Sequence, residues 1–276
     1  MKVLLLYQPN ETHWHSLCRA APNAELVVAS SESEAAALIV DADAVLGNRW
    51  FLQSLPYARR LRWMQSNSMG VDLILRSGAD LSQIVLTRVR GVYDDEVAEH
   101  ALALALALVR GIHKARDAQR VSAWRREPLG TLWGRRALIL GWGGVGRAIA
   151  RRIAAFGCKV SAVRRTHTGP PLTDSDGYTI WGADWREALP QASLVFLALP
   201  LTAQTREIFG EREFQLLPHG SLLVNVGRGE NVDEMALLDA IRSGRLSGAG
   251  LDVFREEPLD PANPLWSEPA VLITPH

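Results

Sequence analysis

One stretch constrains the fold more than any other. The apolar run Arg136-Ala137-Leu138-Ile139-Leu140 leads into Gly141-Trp142-Gly143-Gly144-Val145-Gly146. A segment rich in Ala, Ile and Arg follows from Arg147, and then Lys159-Val160-Ser161-Ala162-Val163. An unbroken aliphatic run before a glycine cluster predicts a strand covered on both faces, and the Ala/Ile/Arg segment predicts a helix. Strand, tight turn, helix and second strand in that order make a βαβ unit, which belongs to a parallel sheet. The glycine spacing has a physical use. Gly141 permits the turn, Gly143 lets the backbone approach a pyrophosphate, and Gly146 lets the helix lie close on the strand, while the helix N-terminus faces the anion. A glycine-rich turn without a ligand is common. The complete βαβ context is what points to a bound dinucleotide, with Gly144, Val145 and Arg147 completing the loop that would hold it.

The residues that close the second strand bear on which dinucleotide. A carboxylate there binds the ribose hydroxyls of NAD. This chain instead has Val163-Arg164-Arg165-Thr166. Two loop arginines are usually solvated surface, but at this position two guanidiniums and no carboxylate suit a 2′-phosphate. The expected cofactor is NADP, with NADPH preferred over NADH.

Similar aliphatic runs recur on both sides. Residues 2–7, 25–29, 43–47, 61–66 and 83–87 are strand candidates, with room for helices at 31–39 and 50–60. Residues 136–140, 159–163, 193–199, 221–226, 248–253 and 271–274 form a second series. Between the series lies VAEHALALALALVR, whose apolar stretch is too short to span a membrane. Its Ala-Leu alternation mimics a strand. Ala and Leu favour helix, however, and Asp94, Asp95 and Glu96 suit a helix N-terminus, so residues 94 to about 113 are expected to form a mostly buried helix. Residues 166–177 are rich in turn formers and predict a loop. The repeated alternation predicts α/β architecture in two parallel-sheet domains, 1–93 and 94–276.

Charge and cysteines narrow the partners. Thirty basic and thirty acidic side chains give no net charge, which removes the general cationic field that nucleic acid or anionic membrane binding uses. Two cysteines, Cys18 and Cys158, without CxxC spacing, argue against a disulfide scaffold or thiolate zinc site and suit a reducing, cytoplasmic setting. Pro9, Asn10 and Glu11 cut the first apolar run too early for a signal peptide.

Three further clusters each follow a predicted strand: Asn225-Val226-Gly227-Arg228-Gly229, Leu251 to Pro258, and Thr274-Pro275-His276. Ligands in α/β folds sit at the carboxyl ends of strands, so Arg228, a carboxylate and His276 are placed to converge. Each alone reads more simply as a surface or structural residue. In this order, with Val97-Ala98-Glu99-His100-Ala101, the glycine motif, Pro200-Leu201-Thr202-Ala203-Gln204-Thr205 and Val232-Asp233-Glu234, the chain resembles the D-isomer-specific 2-hydroxyacid dehydrogenases over nearly its whole length.

The resemblance implies a Rossmann-like nucleotide domain and a flavodoxin-like substrate domain. It implies Arg228, Glu257 and His276 as the catalytic trio and Asp252 near the nicotinamide end of the cofactor, where the acid either tunes charge or shapes the loop. Pro200, Thr205 and Val226 fall on the cofactor side, and Ser68-Met69-Gly70 looks like the substrate loop, whose N–H groups hold a carboxylate. Arg49, Trp50 and Met69 are candidates to line the substrate pocket. Relatives dimerise through the nucleotide domain, so a homodimer is expected.

The chemistry these residues support is hydride transfer to a small 2-oxo acid. Arg228 pairs with the carboxylate and polarises the keto oxygen, His276 protonates that oxygen, and Glu257 orients His276. Glyoxylate or hydroxypyruvate, giving a D-2-hydroxy acid, is the first expectation. The alternatives are an NAD-dependent D-hydroxyacid or phosphoglycerate dehydrogenase, and a non-catalytic dinucleotide sensor. Relatives continue past Thr-Pro-His with a helix that returns to the substrate domain. A chain ending at His276 leaves the proton donor at a frayed end, so the natural protein is expected to run some tens of residues further.

Overall fold

The aliphatic runs pair into two separate parallel sheets, and the chain divides between Val92 and Tyr93 into two units, Met1–Val92 and Tyr93–His276. The computed structural model describes all 276 residues. The first unit contains β1 (Lys2–Leu5), α1 (Glu11–Ala20), β2 (Glu25–Val28), α2 (Glu32–Leu38), β3 (Ala44–Leu46), α3 (Phe51–Ser54), β4 (Trp63–Gln65), α4 (Asp72–Arg76) and β5 (Val85–Thr87). Its five strands are all parallel, in the order β2-β1-β3-β4-β5, the flavodoxin-like winding. Alternate residues of β1 serve opposite faces. Leu4 packs with Val45, Phe51 and Met64, while Val3 and Leu5 pack with Ala44 and, from α1, Trp14 and Leu17.

The helix α1 starts at the very residues that break the first apolar run. Asn10 is its N-cap and accepts a hydrogen bond from the His13 amide at 2.8 Å.

The second unit opens with α5 (Asp94–Val109) and α6 (Ile112–Arg120). The helix expected to reach 113 is interrupted, because Gly111 adopts φ +62° and turns the chain between the two. There follow β6 (Arg136–Leu140), α7 (Gly144–Ala155), β7 (Lys159–Val163), β8 (Leu172–Thr173), β9 (Thr179–Trp181), β10 (Leu194–Leu197), α8 (Glu211–Leu216), β11 (Ser221–Asn225), α9 (Glu234–Arg242), β12 (Leu246–Leu251) and β13 (Val271–Ile273). The sheet order is β13-β12-β11-β10-β6-β7-β9-β8. All neighbours are parallel except β8, which folds back antiparallel on β9. The segment expected to be only loop therefore contributes half of a small edge hairpin.

Strand order reverses between β6 and β10, the switch point at which doubly wound sheets hold ligands. The sheet is covered on both sides, which explains strands without hydrophobic alternation. Leu138, Val195 and Leu223 face a core shared with α8 and α9, and Ile139, Phe196 and Val224 face one shared with α5 and α7. Each such fully buried side chain contributes about 1.5–3 kcal/mol relative to exposure.

No helix is long and apolar enough to cross a membrane.

Candidate active site

The glycine loop occupies the carboxyl end of β6. Gly141 has φ +110°, and a Cβ there would lie 2.4 Å from the Ala198 carbonyl oxygen at the end of β10. A Cβ on Gly146 would lie 1.9 Å from the Gly141 oxygen, so α7 can start this close to its strand only with glycine there. Gly143 is the N-cap of α7, and a Cβ on it would meet nothing within 4 Å. The loop thus has an open side at the N-terminus of a twelve-residue helix, which fits a pyrophosphate. Trp142 is buried against Tyr178 and under the Arg147 guanidinium. Val145 is half-buried in the first turn of α7. Asp94, the first residue of α5, places its carboxylate over Gly144.

Around this loop stand the other residues expected on the cofactor side. Arg164, Arg165 and Thr166 follow β7 and are exposed, with the Arg164 Nε donating to Thr166 Oγ1 at 3.0 Å. No carboxylate stands at the end of β7. After β10, Thr205 closes the next loop by donating to the Pro200 carbonyl at 2.6 Å, and the Thr202 amide donates to Thr205 Oγ1 at 2.8 Å. The Val226 amide continues the ladder to the Leu197 oxygen.

Arg228 lies just past β11, in a loop held by two buried asparagines. Asn225 Oδ1 accepts from the Gly227 amide and Asn225 Nδ2 donates to the Arg228 carbonyl, both at 3.0 Å. Asn231 Oδ1 accepts from the Arg228 amide at 3.0 Å, and its Nδ2 donates to the Thr205 carbonyl at 2.9 Å. Both side chains have spent their amide groups on fixing backbone. Arg228 Nη1 also donates to the Gly227 carbonyl at 2.6 Å.

Next to this loop runs the one that carries Glu257. A Cβ on Gly229 would lie 1.8 Å from the Phe254 carbonyl carbon, so the two loops touch backbone to backbone. Arg255 is pinned by an ion pair with Glu207, which raises its guanidinium pKa, and by its backbone N–H, which donates to Glu234 Oε1 at 3.1 Å. Glu257 uses both oxygens. Oε1 accepts from the Phe254 amide at 2.9 Å and Oε2 lies 2.8 Å from His276 Nδ1. A carboxylate only accepts, so Nδ1 carries the hydrogen and Nε2 is left to exchange a proton with a reacting group. Asp252 follows β12, and its carboxylate accepts from Thr274 Oγ1 at 2.6 Å. His100 of α5 reaches both. The sequence alone gives His100, Asn225 and Asn231 no role; the last two carry a faint signal, as amide side chains bracketing an arginine after a strand.

In the first unit, Ser68, Met69 and Gly70 form a turn beyond β4. The Ser68 amide donates to Ser66 Oγ at 3.1 Å, Asn48 Nδ2 donates to Ser68 Oγ at 2.7 Å, and Arg88 donates to the Met69 carbonyl. Trp50 has φ +57°, and the Arg49 guanidinium lies 4.3 Å above its ring.

Known proteins share this sequence pattern and this fold. Residues 102–276 match the family described as "D-isomer specific 2-hydroxyacid dehydrogenase, NAD binding domain". A glyoxylate reductase of Pyrococcus furiosus is 33% identical over 253 residues, covering 86% of this chain and 73% of the relative. A crystal structure of a D-isomer specific 2-hydroxyacid dehydrogenase family protein from Aeromonas salmonicida superposes with a TM-score of 0.87 at 34% identity, over 100% of this chain and 88% of that one. An NADPH-dependent glyoxylate/hydroxypyruvate reductase from Sinorhizobium meliloti, solved with NADP and sulfate, superposes at 0.84 with 26% identity, over 100% and 88%. The chain belongs to the D-isomer-specific 2-hydroxyacid dehydrogenases, which are NAD(P)-dependent oxidoreductases.

Proposed function

We propose that this protein reduces a small 2-oxo acid, of the glyoxylate or hydroxypyruvate type, to the D-2-hydroxy acid with NADPH. The observation that carries the reading is the His276–Glu257 pair, 2.8 Å apart on strand-end loops, with Arg228 in the loop that abuts them. Gly141, Gly143, Gly144 and Gly146 would hold the pyrophosphate, with Val145 and Arg147 beside them. Pro200, Thr205, Val226 and Asp252 would contact the rest of the cofactor. The bound nicotinamide supplies the hydride. Arg228 binds the substrate carboxylate and draws electron density onto the keto oxygen. His276 donates the proton from Nε2 to that oxygen, and Glu257 holds the ring in the required tautomer and stabilises the imidazolium before transfer. The Ser68-Met69-Gly70 turn carries backbone N–H groups of the kind that would bind a carboxylate.

Arg164 and Arg165 support NADPH, since an NAD site wants a carboxylate where they stand. A homodimer is supported by a run of exposed apolar side chains along and after α6, including Trp124 at 92% and Trp133 at 76% exposure. Two free thiols, Cys18 and Cys158, suit the reducing cytoplasm.

The test is NADPH oxidation followed by absorbance with glyoxylate, hydroxypyruvate, pyruvate and longer 2-oxo acids, with chiral analysis of the product. The reading expects turnover of glyoxylate and hydroxypyruvate, and a D product from hydroxypyruvate, since glyoxylate gives an achiral one. No turnover of any 2-oxo acid with either cofactor would refute it.

A further inference from the structure

Three side chains tie α5 to the ends of β12 and β13. His100 Nε2 lies 2.8 Å from Thr274 Oγ1 and 3.2 Å from Asp252 Oδ1, and Thr274 Oγ1 lies 2.6 Å from that same carboxylate oxygen. Counting hydrogens assigns the donors. The carboxylate accepts only, and the one hydroxyl hydrogen is spent on the 2.6 Å contact. Nε2, facing two oxygens, must therefore carry a hydrogen and share it between them. Thr274 is joined to His276 by Pro275 alone, and its amide donates to the Leu251 carbonyl at 3.0 Å. His276 is thus held by Glu257 on one side and, through Pro275, by this triad on the other.

We infer that His100 is a positioning residue for the proton transfer: acting through Thr274 and Asp252, it fixes the segment that carries His276 and the direction of the Asp252 carboxylate. The inference rests on the reductase reading of the site. Packing does not need the triad. Helix α5 is already seated by Leu104 and Leu108 against Gly250 and Gly248 of β12, and the His100 side chain is 38% exposed. The cluster is partly buried, with the Asp252 side chain 18% exposed, so the melting temperature is read beside the rate to separate folding from turnover. A proton donor must be held within about 0.5 Å of its working geometry.

The experiment compares His100→Leu, His100→Gln, Thr274→Val and the double variant His100→Leu/Thr274→Val in the full chain. Readouts are kcat and KM for the 2-oxo acid, the isotope effect on kcat with cofactor deuterated at the transferred position, and melting temperature. Expected are falls in kcat of at least about tenfold for His100→Leu and for Thr274→Val, with KM nearly unchanged and a larger isotope effect as chemistry becomes limiting. The double variant should be no worse than the poorer single one, because both break one network. His100→Gln, which keeps an N–H at the reach of Nε2, should recover most of the rate. Unchanged kcat in His100→Leu overturns the inference, as does a loss that His100→Gln fails to recover. Should His100→Leu not fold, Thr274→Val against Thr274→Ser decides: equal rates overturn the inference, and loss only in the valine variant supports it. A wild-type chain that reduces no 2-oxo acid overturns the reductase reading itself, whereas an active wild type with a silent His100→Leu overturns the inference alone.

Discussion

Replacing Gly229 with alanine tests whether the contact between two loops sets the catalytic geometry. The new Cβ would lie 1.8 Å from the Phe254 carbonyl carbon, 2.2 Å from its oxygen and 2.3 Å from the Arg255 amide nitrogen. All three are backbone atoms, so no change of rotamer relieves the overlap. Ordinary contact begins at 3.4 Å against the 1.8 Å here, so the loops must part by about 1.6 Å. The Arg228 side resists, because Asn225 and Asn231 grip its backbone from both ends. The Phe254 side is gripped by Glu257 and Arg255. Overpacking of this kind costs about 1–3 kcal/mol of stability, enough to lower Tm by several degrees without unfolding a domain of this size.

The effect on turnover is larger. A displacement of about 1 Å in reacting groups costs on the order of 100-fold in rate. Gly229→Ala should therefore lower kcat about 100-fold while retaining a cooperative melt. The assay is steady-state NADPH oxidation beside a thermal melt. Gly210→Ala is the control, since its Cβ would meet nothing closer than 3.8 Å. If Gly229→Ala turns over as fast as Gly210→Ala, the loop contact does not set the geometry and the reasoning fails.

Replacing Arg164 and Arg165 together with alanine should erase a preference for NADPH of at least about tenfold in kcat/KM, roughly 1.4 kcal/mol, and leave NADH turnover nearly intact; an unmodified enzyme that uses both equally contradicts the assignment. Glu257→Gln should lower kcat at least about 100-fold with KM little changed, because the amide no longer enforces the Nδ1–H tautomer; an undiminished kcat would show that the 2.8 Å contact is incidental. Asp94→Asn should tighten dinucleotide binding about fivefold at low salt, the effect of removing one negative charge a few ångströms from a bound anion in a high dielectric, and the gain should shrink at high salt; a salt-independent Kd equal to that of the wild type refutes it. The Lys2 backbone N–H and then Arg60 hold the Asp43 carboxyl below its usual range, so its contribution is present above the unfolded value of about 3.9 and is lost as pH falls through the folded one. Asp43→Asn should flatten the acid-side fall in the stability of the first unit below about pH 4, read by amide exchange in β1 and β3; an unaltered acid limb excludes this linkage.

Both sheets were legible because their strands are covered on two faces. Runs such as Leu138-Ile139-Leu140 and Val195-Phe196-Leu197 cannot sit at a surface, and the glycine turn between β6 and α7 makes the winding parallel. Punctuation was harder. The Ala-Leu stretch continues in composition toward His113, yet Gly111 in the left-handed region ends α5 near Val109, and one glycine in a helical pattern is a weak stop signal. The β8–β9 hairpin hides among turn formers because a two-residue edge strand has almost no hydrophobic pattern to show.

The same contrast governs the site. Arg228, Asp252, Glu257 and His276 all lie just beyond strands, and strand ends follow from strand runs, so the topology alone gathers them at one edge of the sheet. His100 comes from α5, which opens the second unit about 150 residues before the strand it covers. Both halves of that contact do carry a pattern. Gly248, Gly250 and Asp252 alternate onto one face of β12 and beyond, and His100, Leu104 and Leu108 recur at helical spacing along one stripe of α5. Two gaps on the strand face two leucines on the helix, with a Cβ on Gly250 only 2.9 Å from the Leu104 Cβ. Continue each pattern by one step, two residues on along the strand and four back along the helix, and the next pair is Asp252 and His100. Complementarity of size thus predicts the His100–Asp252 contact once the helix and strand are known to meet. Nothing local says that they do, because the helix is placed by the closing of the whole sheet.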